Sequence, residues 1–222
     1  VTPGLIVGRA AASTPGRPVR IAVAKLTGLE LPALLGLDLL GNRAEPVEQI
    51  IEPAAARAAF ISGAVDAVFL RGDTIPALLP SLAAAGAEPV FSLGVRDESG
   101  KLMRDPAYPD VPHLGELSAI RTGRQPSGPL YNAWCATAAA VQLEFGLMLP
   151  QLTPAAMVAL WRRAAADAAI TTGVQTKGIS LAVRPVGAPA APPRAAAVTT
   201  DSTAMLDLRR WLATRFNWHP RT

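Results

Sequence analysis

A chain of 222 residues is long enough for one large domain or two small lobes. Half of it is hydrophobic and 17% is charged, which excludes a disordered, solvating chain because there is apolar surface enough to offset ordering entropy. The net charge of +4 and pI ≈ 9.8 come from cations scattered singly or in pairs; without interleaved stacking aromatics they exclude a nucleic-acid groove, while leaving a positive field that suits small anions.

Residues 1–12 lack the basic start and long apolar run of a signal peptide. Residues 10–18, AAASTPGRP, read as a linker. A strand over 19–24 follows, then Lys25-Leu26-Thr27-Gly28 and a helix over 29–40 that stops at Gly41-Asn42. A strand at 44–50, a helix at 53–62 ended by Gly63, and a strand at 65–70 come next. A helix at 75–85 closed by Gly86 and a strand at 89–95 complete the series. Strands alternating with helices at this spacing predict an α/β fold with a parallel or mixed sheet.

Residues 100–116, rich in Pro and Asp, read as a surface connection, with a short helix over 114–120. A second linker, GRQPSGP, spans 123–129, and a helix over 131–140 follows. Val141, Leu143, Phe145 and Leu147 alternate with polar or small residues, the period of a strand. The apolar stretch 130–149 carries Asn132, Gln142 and Glu144 and is rejected as a membrane span. Thr153-Pro154 predicts a helix start, Thr153 as N-cap and Pro154 at the first helical position, with Met157, Leu160, Trp161, Ala164 and Ala168 following at helical spacing. A strand over 179–183, a Pro/Ala loop over 187–193 and a last helix capped by Asp201 or Ser202 close the chain. The two linkers together predict two α/β lobes: residues 18–122 as an inserted lobe, and 1–17 with 123–222 as the remainder of a first lobe. Lobes joined by two crossings make a hinged cleft for a small ligand.

Chemistry concentrates at two strand ends. The turn Lys25, Leu26, Thr27, Gly28 joins a strand to a helix N-terminus, where free backbone N–H groups bind anions. Thr27 reads either as the helix cap or as a hydroxyl donor to that anion. After the strand at 65–70, Arg71-Gly72-Asp73 reads as a surface turn capping the next helix, or as a ligand loop in which Arg71 pairs with a carboxylate. Asp66, inside an apolar strand, is a buried acceptor fixing its neighbours or a ligand residue. The lone Cys135 excludes an intramolecular disulfide and reads as an inert buried thiol. The four tryptophans read as packing residues. No catalytic triad, metal-ligand spacing or nucleotide-binding motif is present, so no enzyme activity, metal or cofactor is expected.

Three segments, in order, resemble the solute-binding proteins of tripartite tricarboxylate transporters, the Bug family. They are 60–70 (FISGAVDAVFL), 104–117 (RDPAYPDVPHLGEL) and 145–158 (FGLMLPQLTPAAMV). Asp110, Val111, Pro112, Leu114 and Glu116 match that family's most specific run, with His113 where it carries Thr. The resemblance implies a type II periplasmic-binding-protein fold whose first lobe is incomplete here, because the Gly-rich opening of the family pattern is missing upstream. It also implies a periplasmic location, membrane transporter subunits as partners, and capture of a small carboxylate or related solute by hinge closure. The inserted lobe's contribution to the ligand site would fall on Lys25 to Gly28. The alternatives are the effector-binding domain of a transcriptional regulator of the same fold type, a small enzyme using Asp66 or His113 as base, or a remnant that no longer binds.

Overall fold

A computed structural model describes residues 1–97, 99–146, 148–186 and 196–220. Its centre is a five-stranded mixed sheet of strands β1 (Gly4–Gly8), β2 (Pro18–Ala22), β3 (Arg43–Val47), β4 (Ala67–Arg71) and β5 (Glu88–Ser92), in the order β3-β2-β4-β1-β5. β2 pairs parallel with β3 and β4, while β1 lies antiparallel between β4 and β5. Helices α1 (Leu31–Leu39), α2 (Pro53–Ile61) and α3 (Thr74–Ala84) are the crossovers, close to where the sequence puts them. Pro32 and Pro53 start α1 and α2 where a missing N–H costs nothing. Gly63 and Gly86 stop α2 and α3 at φ of 78° and 85°, a conformation that other residues resist.

The sheet is covered on both faces. Ile6, Val19 and Ile21 face a core with α1, α5 (Pro129–Gln142) and α8 (Ser202–Phe216). Leu5, Val7, Val68 and Leu70 face the opposite core under α2 and α3. Because β1 contributes to both cores, all five of its residues are buried, as a central strand requires. Trp134 of α5 is fully buried and donates its indole N–H to the Pro32 carbonyl at 2.9 Å. Asp38 of α1 accepts from Trp211 Nε1 (2.9 Å) and Arg215 Nε (2.7 Å), which fixes α8 against α1. Asp201 caps α8 by accepting from the Ala204 N–H at 2.7 Å, as its type and position predict.

A short hairpin, β6 (Val95–Arg96) with β7 (Leu102–Met103), and helix α4 (Leu114–Thr122) fill the region read as a surface connection. Beyond α5 the chain departs from expectation. The alternating run from Val141 forms no strand among its described residues: α5 runs to Gln142, and 143–146 are irregular. Residues 179–183 form no strand either, for Ile179 lies in α7 (Thr172–Ser180). A strand must find a partner edge for its backbone groups, and a helix satisfies them locally. α6 (Ala155–Ile170) does start after Thr153-Pro154, but Met157, Leu160 and Trp161 are exposed rather than packed. Thr153 donates to the Pro150 carbonyl at 2.7 Å instead of capping α6.

The expected division into lobes is also altered. The strand Gly4–Gly8, assigned from the sequence to a first lobe, is inserted between β4 and β5 of the same sheet as residues 18–92. Short β1 found partners far along the chain, which its own pattern cannot announce. Among the described residues there is one main sheet, and a second lobe is not evident. The expected loop at 187–193 lies outside the described residues. No helix among the described residues is long and apolar enough to cross a membrane.

Candidate functional site

The connection from β2 runs outward to β3, and the next returns across β2 to β4. This reversal leaves a crevice at the carboxyl ends of β2 and β4, the switch point where open α/β sheets bind ligands. A cavity of ≈ 140 Å³ lies there, walled by Ala22 of β2, Leu70 and Arg71 of β4, Glu30 before α1, Pro53 of α2 and Thr74 of α3. Of the two turns singled out in the sequence, the second gives Arg71 to its wall, and the first leads into Leu29 and Glu30, which line it.

The first turn is Lys25 to Gly28. Gly28 N–H donates to the Lys25 carbonyl at 2.9 Å, closing a tight turn, and Leu26 anchors it in the core. Lys25 and Thr27 are exposed. α1 begins only at Leu31 with Glu30 at its N-cap position, so Thr27 does not cap it. The amides of Leu26 and Thr27 donate to no backbone acceptor among the described residues.

Glu30 is the residue that sequence reasoning missed. Its side chain folds back over the turn, and a Cβ built on Gly28 would lie 2.8 Å from Glu30 Oε2. Gly28 is therefore where the carboxylate fits. Oε2 is buried and has no hydrogen-bond partner among the described residues. Burial pushes the carboxyl above its usual value, against the opposing pull of the backbone N–H groups of Glu30 and Ala24. An acid before Leu31-Pro32 is a sequence signal for a helix N-terminus, but not for a side chain turned inward.

The second turn is Arg71-Gly72-Asp73. Gly72 has a φ of 58°, and Thr2 Cγ2 would stand 2.8 Å from a Cβ there, so only glycine fits. Asp73 holds the N-cap position of α3 without a side-chain hydrogen bond to it. The Thr74 hydroxyl accepts from Arg71 N–H at 2.9 Å and donates to the Arg71 carbonyl at 2.7 Å. Arg71 lines the crevice, but its guanidinium is committed: Nε donates to the Val141 carbonyl at 2.5 Å, and Nη2 is ion-paired with Glu144. Thr2 Oγ1 donates to the same Glu144 oxygen at 3.1 Å. Arg71 thus ties β4 to the chain leaving α5. The surface-turn reading of this loop describes it better than the ligand-loop reading.

Asp66 has the structural role. It accepts from Arg20 N (3.1 Å), Nε (2.9 Å) and Nη2 (2.8 Å), while its own N–H donates to the Arg20 carbonyl at 2.7 Å. These bonds clamp β4 to β2 at the end opposite the crevice. The hydrogen bond from Arg20 holds the carboxyl below its usual value, against its partial burial. His113 is not poised as a base. Its Nδ1 accepts from Glu116 N–H at 3.3 Å while Glu116 accepts from His113 N–H at 3.2 Å, a capping box at the start of α4. Cys135 is partly buried, and burial pushes its thiol up. Of the four tryptophans, Trp134 and Trp211 are buried and Trp218 packs against their core, whereas Trp161 is exposed. Among the described residues no cluster of His, Cys, Asp and Glu could hold a metal ion.

No protein-family model matches the sequence, and no curated protein matches it.

Proposed function

We propose that the chain is a solute-binding protein that takes a small carboxylate at the carboxyl ends of β2 and β4. The observation carrying this reading is that the turn Lys25 to Gly28 leads directly into Leu29 and Glu30, which line the cavity at the sheet's switch point. A carboxylate, that of Glu30, already rests against this turn, so the pocket accommodates the group in size and shape. The likeness of residues 60–70, 104–117 and 145–158 to the Bug family supports the same reading. It extends the proposal to a periplasmic protein serving membrane transporter subunits.

Differential scanning fluorimetry against a panel of mono-, di- and tricarboxylates tests the reading. A ligand at about a hundred times its Kd stabilises the folded state by about 2.7 kcal/mol, which raises Tm by several degrees. Thr27→Ala and truncation of the Lys25 side chain should reduce that rise. A panel without any Tm shift, with calorimetry equally silent, would remove the carboxylate assignment.

A further inference from the structure

We infer that Glu30 is an internal occupant of the crevice, and that a ligand carboxylate binds by displacing it. The inference rests on the solute-binding reading and adds a gate to it.

Three observations converge. First, Glu30 lines the cavity at the switch point rather than pointing to solvent as most N-cap acids do. Second, the Glu30 carboxylate lies over Gly28: a Cβ there would stand 2.8 Å from Oε2 and 3.0 Å from the Lys25 carbonyl oxygen, so the bare glycine leaves the room the carboxylate occupies. Third, the fit is incomplete, because Oε2 is buried with no donor among the described residues. A desolvated, half-satisfied carboxylate costs free energy that hydration would recover. The side chain precedes α1 on a turn, outside the helix itself.

Arg71, the cation lining the cavity, cannot neutralise a second carboxylate without loss, since it is held by Glu144 and the Val141 carbonyl. Two carboxylates in one small site repel strongly, so ligand and Glu30 exclude each other. The Glu30-out conformer is then the competent one. The apparent affinity is the intrinsic affinity multiplied by the fraction of molecules in that conformer. A ligand wins where it brings donors or apolar contacts that Glu30 lacks, and Glu30 thereby rejects simple anions.

The test compares full-length wild type with Glu30→Ala and the isosteric Glu30→Gln. Each is titrated with sodium acetate and sodium succinate at constant ionic strength, read by Tm and by amide chemical shifts of residues 24–30. Acetate is expected to raise the Tm of Glu30→Ala at concentrations that leave the wild type unmoved. Succinate is expected to bind Glu30→Ala more tightly, by about tenfold for an occupant present nine-tenths of the time, and Glu30→Gln more tightly by a smaller factor, since its amide repels no ligand carboxylate but keeps the occupant's shape. Glu30→Gln keeps the shape and loses only the charge, so it carries the comparison if Glu30→Ala does not fold. Equal succinate affinity in wild type and variants overturns the gate while leaving solute binding intact. Silence of all three proteins toward the whole carboxylate panel overturns solute binding itself, and the gate with it.

Discussion

Replacing Asp66 with Asn should loosen the two strands that frame the crevice. β2 and β4 share a single register pair, Ile21 with Ala67, so much of their connection passes through the Asp66 side chain. Asn keeps one acceptor oxygen for the Arg20 N–H and loses the charge and the paired contact with the guanidinium. Hydrogen bonds to charged groups contribute about 1.5–3 kcal/mol each. The Arg20 side chain is 43% exposed, so solvent screens the guanidinium's share and leaves it small. The loss is then mainly the charge on the retained N–H bond, about 1 kcal/mol, a Tm fall of roughly 2–4 °C for a chain of this size. The pH dependence follows from the direction of the shift. The folded carboxyl lies below its usual value of 3.8, through its bond from Arg20. Its contribution is therefore full above the unfolded value and is lost as pH falls through the folded one. Denaturant melts of both proteins at about pH 7 and about pH 3 measure this. The gap between them should shrink at the lower pH. A variant as stable as wild type at neutral pH, or a gap that persists unchanged in acid, refutes the clamp.

His113→Ala should cost about 1 kcal/mol by removing the acceptor at the start of α4, measured by urea denaturation. Burial holds the His113 imidazole below 6.5, so its contribution is present above the unfolded value and lost as pH falls toward the folded one; the variant should lack that slope. Leu34→Ala, at a fully buried site, should cost about 2–5 kcal/mol, whereas Leu152→Ser, at a site 93% exposed, should stay within about 0.5 kcal/mol; a reversal would place the core wrongly. Cys135 should react slowly with a thiol reagent in the native state and rapidly once unfolded, because burial raises its thiol pKa.

Elements β2 to β5 and α1 to α4 were legible because each carries its own punctuation. Gly41, Gly63 and Gly86 stop three helices, and Pro53 starts one. What the sequence leaves open is partnership. Leu5-Ile6-Val7 has the composition of a buried strand, but its place between β4 and β5 depends on residues sixty and more positions away. The alternation from Val141 promised a strand that found no edge to join, leaving Phe145, Met148 and Leu152 exposed. At the site, the turn Lys25 to Gly28 was visible as a strand-to-helix junction. Glu30 was not, because whether a helix-leading acid faces water or folds inward is decided by the cradle at Gly28. Arg71 was visible as a cation at a strand end, yet its partner Glu144 is supplied by a distant segment.

The central claim is that a carboxylate binds at the carboxyl ends of β2 and β4. An amide chemical-shift titration of the full chain with the carboxylate panel tests it most directly. The account predicts saturable shifts gathered at residues 24–30, with smaller ones at 50–53 and 71–74. Saturable shifts elsewhere, with those residues unmoved, would contradict it.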